Sequence, residues 1–222
     1  MTNNLVDIVD AYSETYGKHA KHRARRFSYD LRVKLIKRVI QPSMNVLDIG
    51  TATGDYAADL GDYVKGIIGL DYDRSSLSLA RRKSNKITLV GARAQSLPFS
   101  DGSFDAVTIL NAFRYFSNPL LVLRECRRVL GKRGFLVLID HNRHCPDTLF
   151  VRRSVFSYYS HNQFDTMFKE AGFMVIKSEH LFVPFLLTPE RLLKPFDALA
   201  RKMMATGLKE LYPELLFVCE RG

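Results

Sequence analysis

No run of about 18 or more apolar residues occurs in the chain, so nothing in it reads as a membrane-spanning helix. The opening residues, Met1-Thr2-Asn3-Asn4-Leu5-Val6-Asp7, have neither the basic start nor the apolar block of a secretory signal. Cysteine is scarce. Cys126, Cys145 and Cys219 stand far apart, which implies neither a zinc site nor a disulfide framework and makes a reducing cytoplasm the expected setting. Repeats and low-complexity tracts are absent. Acid is nearly missing from one stretch: between Lys18 and Arg38 nine Lys or Arg face the single Asp30, which gives that segment +8 of the net charge of +10. Such a run reads either as a solvated helix face or as a patch for phosphate, whether in nucleic acid, an anionic lipid surface or a phosphorylated acceptor. With 222 residues, 46% of them hydrophobic, the chain can bury a full core as one domain with extensions.

The stretch that organises the rest runs from Met44 to Asp55. Val46 to Ile49 is a short apolar run that ends at Gly50, and Thr51-Ala52-Thr53-Gly54 leads into Asp55, which can open a helix. A strand feeding a glycine-bearing loop and a helix N-terminus is where open α/β sheets bind ligands. A dinucleotide is a poor match. The spacing is Gly50-x-x-x-Gly54 rather than G-x-G-x-x-G, and Asp48, Asp55, Asp71 and Asp73 put carboxylates where a pyrophosphate wants N–H groups and positive field. Such a pocket suits a ligand with positive charge and ribose hydroxyls, of which S-adenosylmethionine is one.

Val46-Leu47-Asp48-Ile49-Gly50-Thr51-Ala52-Thr53-Gly54 resembles the first motif of the class I S-adenosylmethionine-dependent methyltransferases, and Gly69-Leu70-Asp71-Tyr72-Asp73 resembles their acidic second-strand motif. Leu97 to Val107 and Arg124 to Leu130 resemble the type 11 branch that includes quinone-precursor methyltransferases. The resemblance covers roughly residues 44–142. It implies a Rossmann-like α/β fold: a seven-stranded, mostly parallel sheet with helices on both faces, in the order 3-2-1-4-5-7-6 with strand 7 antiparallel. The strand–helix alternation itself supports an open, mostly parallel sheet. Strands are expected at Lys65–Leu70, Lys86–Val90, Phe104–Leu110, Phe135–Ile139, from Phe173, and at Leu215–Val218. Helices are expected at Arg74–Ser84, from Pro119 to Gly131 after an Asn118 cap, and after Ser160. Residues 1–42 are expected to form a helical lid and a basic helix. The cofactor-binding domain is then 43–222, with a helical insertion at about 184–211.

The resemblance also assigns a site. Asp71 would accept hydrogen bonds from the ribose hydroxyls, and Tyr72 would pack on adenine. Gly50, Thr51, Ala52 and Gly54 would form the loop, and Asp48 would support the methionine end. Ala94 and Gln95 sit where the family grips adenine, yet the position before them, usually an acid, is Arg93, which cannot accept a hydrogen bond. Backbone groups at Ala94 and Gln95, or apolar contact, would then hold the ring. Asn111 stands where donor and acceptor meet, with Phe113 and Tyr115 close by. His141 follows the fifth strand and is the natural general base for an O-methylation. Tyr16, with Tyr12 and His19, would face the pocket from the lid, and Tyr158, Tyr159 and His161 could line its mouth. Alignment of donor and acceptor alone can supply most of the rate. No metal-ligand set is expected.

The activity this implies is O- or C-methylation of a small-molecule or lipid-linked acceptor by S-adenosylmethionine, releasing S-adenosylhomocysteine. The basic N-terminal segment and the apolar Phe182 to Leu187 could seat the protein on an anionic membrane surface. An RNA methyltransferase is the charge-based rival. It is disfavoured because Asn111-Ala112-Phe113-Arg114 is not the Asn/Asp-Pro-Pro-Tyr loop of base-amine methylases and no Pro-Cys pair occurs. A binding module that kept the fold without the reaction is the other.

Overall fold

A computed structural model describes residues 23–144, 156–181 and 214–222, with side chains from Ser28 onward. The elements in chain order are α1 (Arg23–Ile36), β1 (Asn45–Ile49), α2 (Asp55–Gly61), β2 (Gly66–Asp71), α3 (Arg74–Arg81), β3 (Ile87–Gly91) and β4 (Phe104–Leu110). After a single 3-10 turn at Phe113–Tyr115 come α4 (Pro119–Val129), β5 (Leu130–His141), α5 (His161–Glu170), β6 (Phe173–Leu181) and β7 (Glu214–Arg221). One seven-stranded sheet runs in the order β3-β2-β1-β4-β5-β7-β6. Its first five strands are mutually parallel, and β7 is antiparallel to both β5 and β6. The expected fold class and strand order therefore hold.

Both faces of the sheet are covered, and alternation along each central strand serves the two sides in turn. Leu47, Ile49, Val107, Ile109, Leu136 and Leu138 pack with Val122, Leu123 and Cys126 of α4 and Phe164 and Phe168 of α5. Val46, Ala106, Leu110, Val137 and Ile139 face the other way, towards Leu35 and Ile36 of α1 and Tyr56, Ala57 and Leu60 of α2. Asp48 and His141 occupy polar positions on that second parity, and the candidate site uses both.

Helix starts follow their local signals. Asn118 Oδ1 accepts a hydrogen bond from the Leu121 N–H (3.1 Å), with proline in the first turn. Ser160 and Gln163 cap α5 reciprocally. The ends of elements depart more from expectation. Helix α3 stops at Arg81, short of Ser84. Strand β5 begins at Leu130 directly after α4, because Leu130 is already extended and pairs with Phe104. Regular pairing resumes at Phe135 opposite Ala106, so residues 131–134 bulge out. Strand β6 runs on to Leu181 with its own register shift after Val175. The expected insertion at about 184–211, the lid with Tyr12, Tyr16 and His19, and Cys145 lie outside the described residues.

Candidate active site

The loop after β1 is shaped by close approach. Gly50 adopts φ +73°, and a Cβ there would stand 2.4 Å from the Ala112 Cβ. Gly54 adopts φ +74°, and its Cβ would lie 2.8 Å from that of Ala80 on α3. Both positions exclude side chains by conformation and by space. The N–H groups of Gly50 and Thr51 both donate to the Leu70 carbonyl (2.8 and 3.1 Å), which ties the loop to β2. Ala52 takes the left-handed region without being glycine, at φ 46°. Its N–H then meets Asp71 Oδ2 at 2.9 Å, so the strain is offset by a charge-assisted hydrogen bond.

Asp71 ends β2, is 9% exposed, and also accepts the Asp73 N–H on Oδ1 (3.0 Å). Burial raises its pKa, and the backbone N–H groups of Asp73 and Ala52 pull it back. A carboxylate has roughly four acceptor positions, so this one is oriented by the loop and keeps capacity for further donors. Tyr72 follows, 59% exposed as a residue, and offers an aromatic surface next to the carboxylate in the chain. Ala94 is buried and Arg93 exposed. Burial raises the pKa of the Tyr72 hydroxyl, the charges of Asp71 and Asp73 add to the rise, and that of Arg93 opposes it. Gln95 Nε2 reaches Ser117 Oγ at 3.4 Å. The stretch just beyond is clamped from α4. Glu125 accepts the Leu97 N–H (2.8 Å), while Arg128 donates to the carbonyls of Phe99 (2.7 Å) and Leu97 (3.0 Å). Two segments singled out separately in the sequence thus hold each other; the i, i+3 spacing of Glu125 and Arg128 was the available signal.

Asp48 is 3% exposed with no cation among its hydrogen-bond partners in the described residues, and Thr108 Oγ1 donates to it at 2.7 Å. Burial raises its pKa to about 6. The hydroxyls of Thr108 and Thr51 oppose the rise, and the charge of Asp71 adds to it. Thr51 Oγ1 itself is buried at a geometry short of a full hydrogen bond. Asn111, directly after β4, sits at φ 58° with its N–H on the Ile139 carbonyl (2.7 Å). Its Oδ1 is buried and has no hydrogen-bond donor among the described residues. A buried acceptor without a donor and a buried carboxylate without a cation are costly when left so. Together with the exposed Tyr72 ring and the oriented Asp71, they fit a ligand that brings an ammonium, ribose hydroxyls and a flat base. They do not fit a pyrophosphate.

A second polar centre lies along the sheet, at the ends of β5 and β7. Arg32 of α1 donates from two nitrogens to Glu214, and from Nη1 to the Tyr56 hydroxyl at 3.2 Å. Arg114 pairs with Asp140 at 2.7 Å, and Asp140 also accepts the backbone N–H groups of Arg114 and His141. All four charged side chains are buried or nearly so. His141 stands between the two pairs, with Nδ1 3.1 Å from Arg114 Nη1 and 3.9 Å from Glu214. Burial and the Arg114 charge push its pKa down to about 3. It is therefore neutral at physiological pH, and its Nδ1 lone pair is engaged. Tyr115 packs on the Arg114 guanidinium and Tyr158 lies near the His141 ring (centroids 6.3 Å apart). Phe113 and Tyr159 belong instead to an aromatic core with Phe164. His161 stacks on His180 at the start of α5.

Residues 47–138 match a family model described as "Methyltransferase domain". The chain is 35% identical over 164 residues to a demethylmenaquinone methyltransferase of Thermotoga maritima, covering 64% of this chain and 71% of that protein. It is 31% identical over 147 residues to a ubiquinone/menaquinone biosynthesis C-methyltransferase of Citrifermentans bemidjiense, covering 62% of this chain and 58% of the relative. A crystal structure of a SAM-dependent methyltransferase from Thermotoga maritima superposes with a TM-score of 0.73 over 97% of this chain and 98% of its own, at 18% identity. That likeness speaks for the fold; the sequence relatives speak for the enzyme. Carboxylates and glycines, strand order and sequence relatives agree: the chain belongs to the class I S-adenosylmethionine-dependent methyltransferases.

Proposed function

We propose that this enzyme methylates a ring carbon of a lipid-linked phenolic acceptor, a reduced quinone precursor, at the ends of β4 and β5. The acceptor class rests on the likeness to relatives named for demethylmenaquinone and for quinone C-methylation. The cofactor mode rests on the Asp71 carboxylate, which the loop after β1 orients while leaving it acceptor capacity; the buried Asn111 Oδ1, with no donor among the described residues, supports it separately. When bound, S-adenosylmethionine supplies a methyl on cationic sulfur, which keeps the bonding pair and leaves as the neutral thioether S-adenosylhomocysteine.

The chain's own residues bind and orient. Asp71 accepts from the ribose hydroxyls, Tyr72 covers one face of adenine, and backbone groups at Ala94 and Gln95 take its edge. Gly50, Thr51, Ala52 and Gly54 let the backbone lie against the ligand, and Asp48 and Asn111 receive the ammonium end. Alignment in this cradle supplies most of the rate. Tyr16 remains a candidate from the N-terminal segment, which would meet the acceptor's tail at an anionic surface. Among the described residues no helix is long and apolar enough to cross a membrane.

Calorimetry with S-adenosylhomocysteine tests the cofactor mode. Micromolar binding to wild type, lost in Asp71→Ala and absent with NADH, is the expected result; equal binding by the variant overturns the assignment of Asp71. Methyl transfer to a short-tailed 1,4-naphthalenediol, read by mass spectrometry, tests the acceptor. Transfer to RNA but not to the diol overturns that reading.

A further inference from the structure

His141 is the natural general base in the sequence, but its surroundings give it a different capacity. A guanidinium carries only donors, so the 3.1 Å contact between Arg114 Nη1 and His141 Nδ1 has one chemical sense: Arg114 donates and Nδ1 accepts. The neutral ring then bears its proton on Nε2. Asp140 fixes this arrangement, because its carboxylate holds the Arg114 side chain at 2.7 Å, the Arg114 backbone N–H at 3.1 Å and the His141 backbone N–H at 2.7 Å.

On balance the surroundings oppose protonation of the ring: burial and the charges of Arg114 and Arg32 act against it, and the charge of Asp140 offsets them only in part. The groups that face it are Arg32 from α1, Arg114 from the turn after β4, Asp140 on its own strand, Tyr158 from the segment before α5, and Glu214 from β7. Arg114 is paired with Asp140 and Arg32 with Glu214, so an imidazolium would add positive charge to a half-buried centre that already holds two guanidinium groups. Nε2 makes no hydrogen bond among the described residues, and the side chain is 33% exposed.

We infer that His141 is a tautomer-locked hydrogen-bond donor whose Nε2–H binds the oxygen of a phenolate-type acceptor, with Arg114 and Asp140 as its positioning residues. This rests on the acceptor class proposed above. The acceptor hydroxyl loses its proton to water, since no lone pair on His141 is open to take it. The oxyanion feeds electrons into the ring, and the ring carbon uses that pair to form the new bond to methyl. That carbon then sheds its hydrogen as a proton to water and the regenerated oxyanion takes a proton back from water, so in the balance one methyl enters and one proton leaves. A fixed donor aimed at such an oxyanion acts where charge is greatest.

Two readouts test this in the full chain. In 15N-histidine-labelled protein, His141 shows a protonated Nε2 and an unprotonated Nδ1, unchanged from pH 5 to pH 8; titration within that range overturns the inference. In turnover with a short-tailed 1,4-naphthalenediol, His141→Ala loses about ten- to a hundredfold in kcat/KM, the scale of a hydrogen bond to a charged group. His141→Gln, which keeps an N–H donor but has no basic nitrogen, retains most of the rate, and S-adenosylhomocysteine affinity is equal in all three proteins. Gln and Ala falling together overturns the inference and restores a base. Wild type that binds S-adenosylhomocysteine yet transfers nothing to the diol overturns the acceptor reading, and this inference with it.

Discussion

The two halves of the site are built by different means. Around β1 and β2 the cradle is made of backbone: left-handed turns at Gly50, Ala52 and Gly54, N–H groups on Leu70 and Asp71, and spaces too small for a Cβ. Its parts lie close in sequence, and the matched family segment, 47–138, contains all of them. Around β5 and β7 the site is made of charged side chains that meet only after folding. Arg32 and Glu214 are 182 residues apart, and His141 and Glu214 lie beyond the matched segment. The first half depends on backbone conformation and on space at single positions, whereas the second depends on charged partners brought together from distant parts of the chain.

The largest break in this comparison strikes the charged half alone. Glu214→Gln removes the carboxylate that pairs with the nearly buried Arg32 and costs about 3–5 kcal/mol of stability by urea unfolding. S-adenosylhomocysteine affinity in the folded fraction stays within about threefold of wild type, given the small loss expected at a distant site. Gly50→Ala does the reverse. A left-handed alanine pressed against Ala112 costs about 2–4 kcal/mol and abolishes calorimetric binding of S-adenosylhomocysteine, while the His141 15N signals keep their pattern.

Asp48 gives an effect of similar size that depends on pH. Its folded pKa, about 6, lies above the unfolded value of 3.8. The stability it contributes is therefore fully present below pH 4 and is lost as pH rises through 6, amounting to roughly 3 kcal/mol. Relative to Asp48→Asn, wild type should gain that much in chemical unfolding between pH 7.5 and pH 4; parallel curves would disprove it. The smallest effect sharpens the comparison. Ala52→Gly relieves a left-handed alanine and keeps its N–H on Asp71, so it shifts stability by only about 1 kcal/mol in either direction.

What was legible follows the same divide. The limits of β4 at Phe104 and Leu110 can be read directly, because an apolar run is bounded by the Asp101-Gly102 turn and a polar Asn111. Asp71 and the two glycines were legible because strand end, turn and helix start are consecutive. The bulge at 131–134 was not, since it depends on where Phe104 and Ala106 fall on the neighbouring strand. The position of His141 was visible, but its protonation state was not: that is decided by Arg114, 27 residues earlier and on another element. Thr108 as the partner of Asp48 was hidden for the same reason, lying 60 residues away on a strand whose register had to be known.

The buried carboxylate beneath the cradle has a bearing on product inhibition. Under the proposed binding mode, a cation placed beside Asp48 lowers its pKa, so cofactor uptake near pH 6 expels a proton. The sulfonium brings a charge that the spent thioether lacks, and the two ligands expel unequal amounts. Discrimination in favour of fresh cofactor therefore improves as pH rises through 6 and shrinks below it. Acidification thus shifts the enzyme towards its product-bound form before any group proposed to touch the acceptor has titrated.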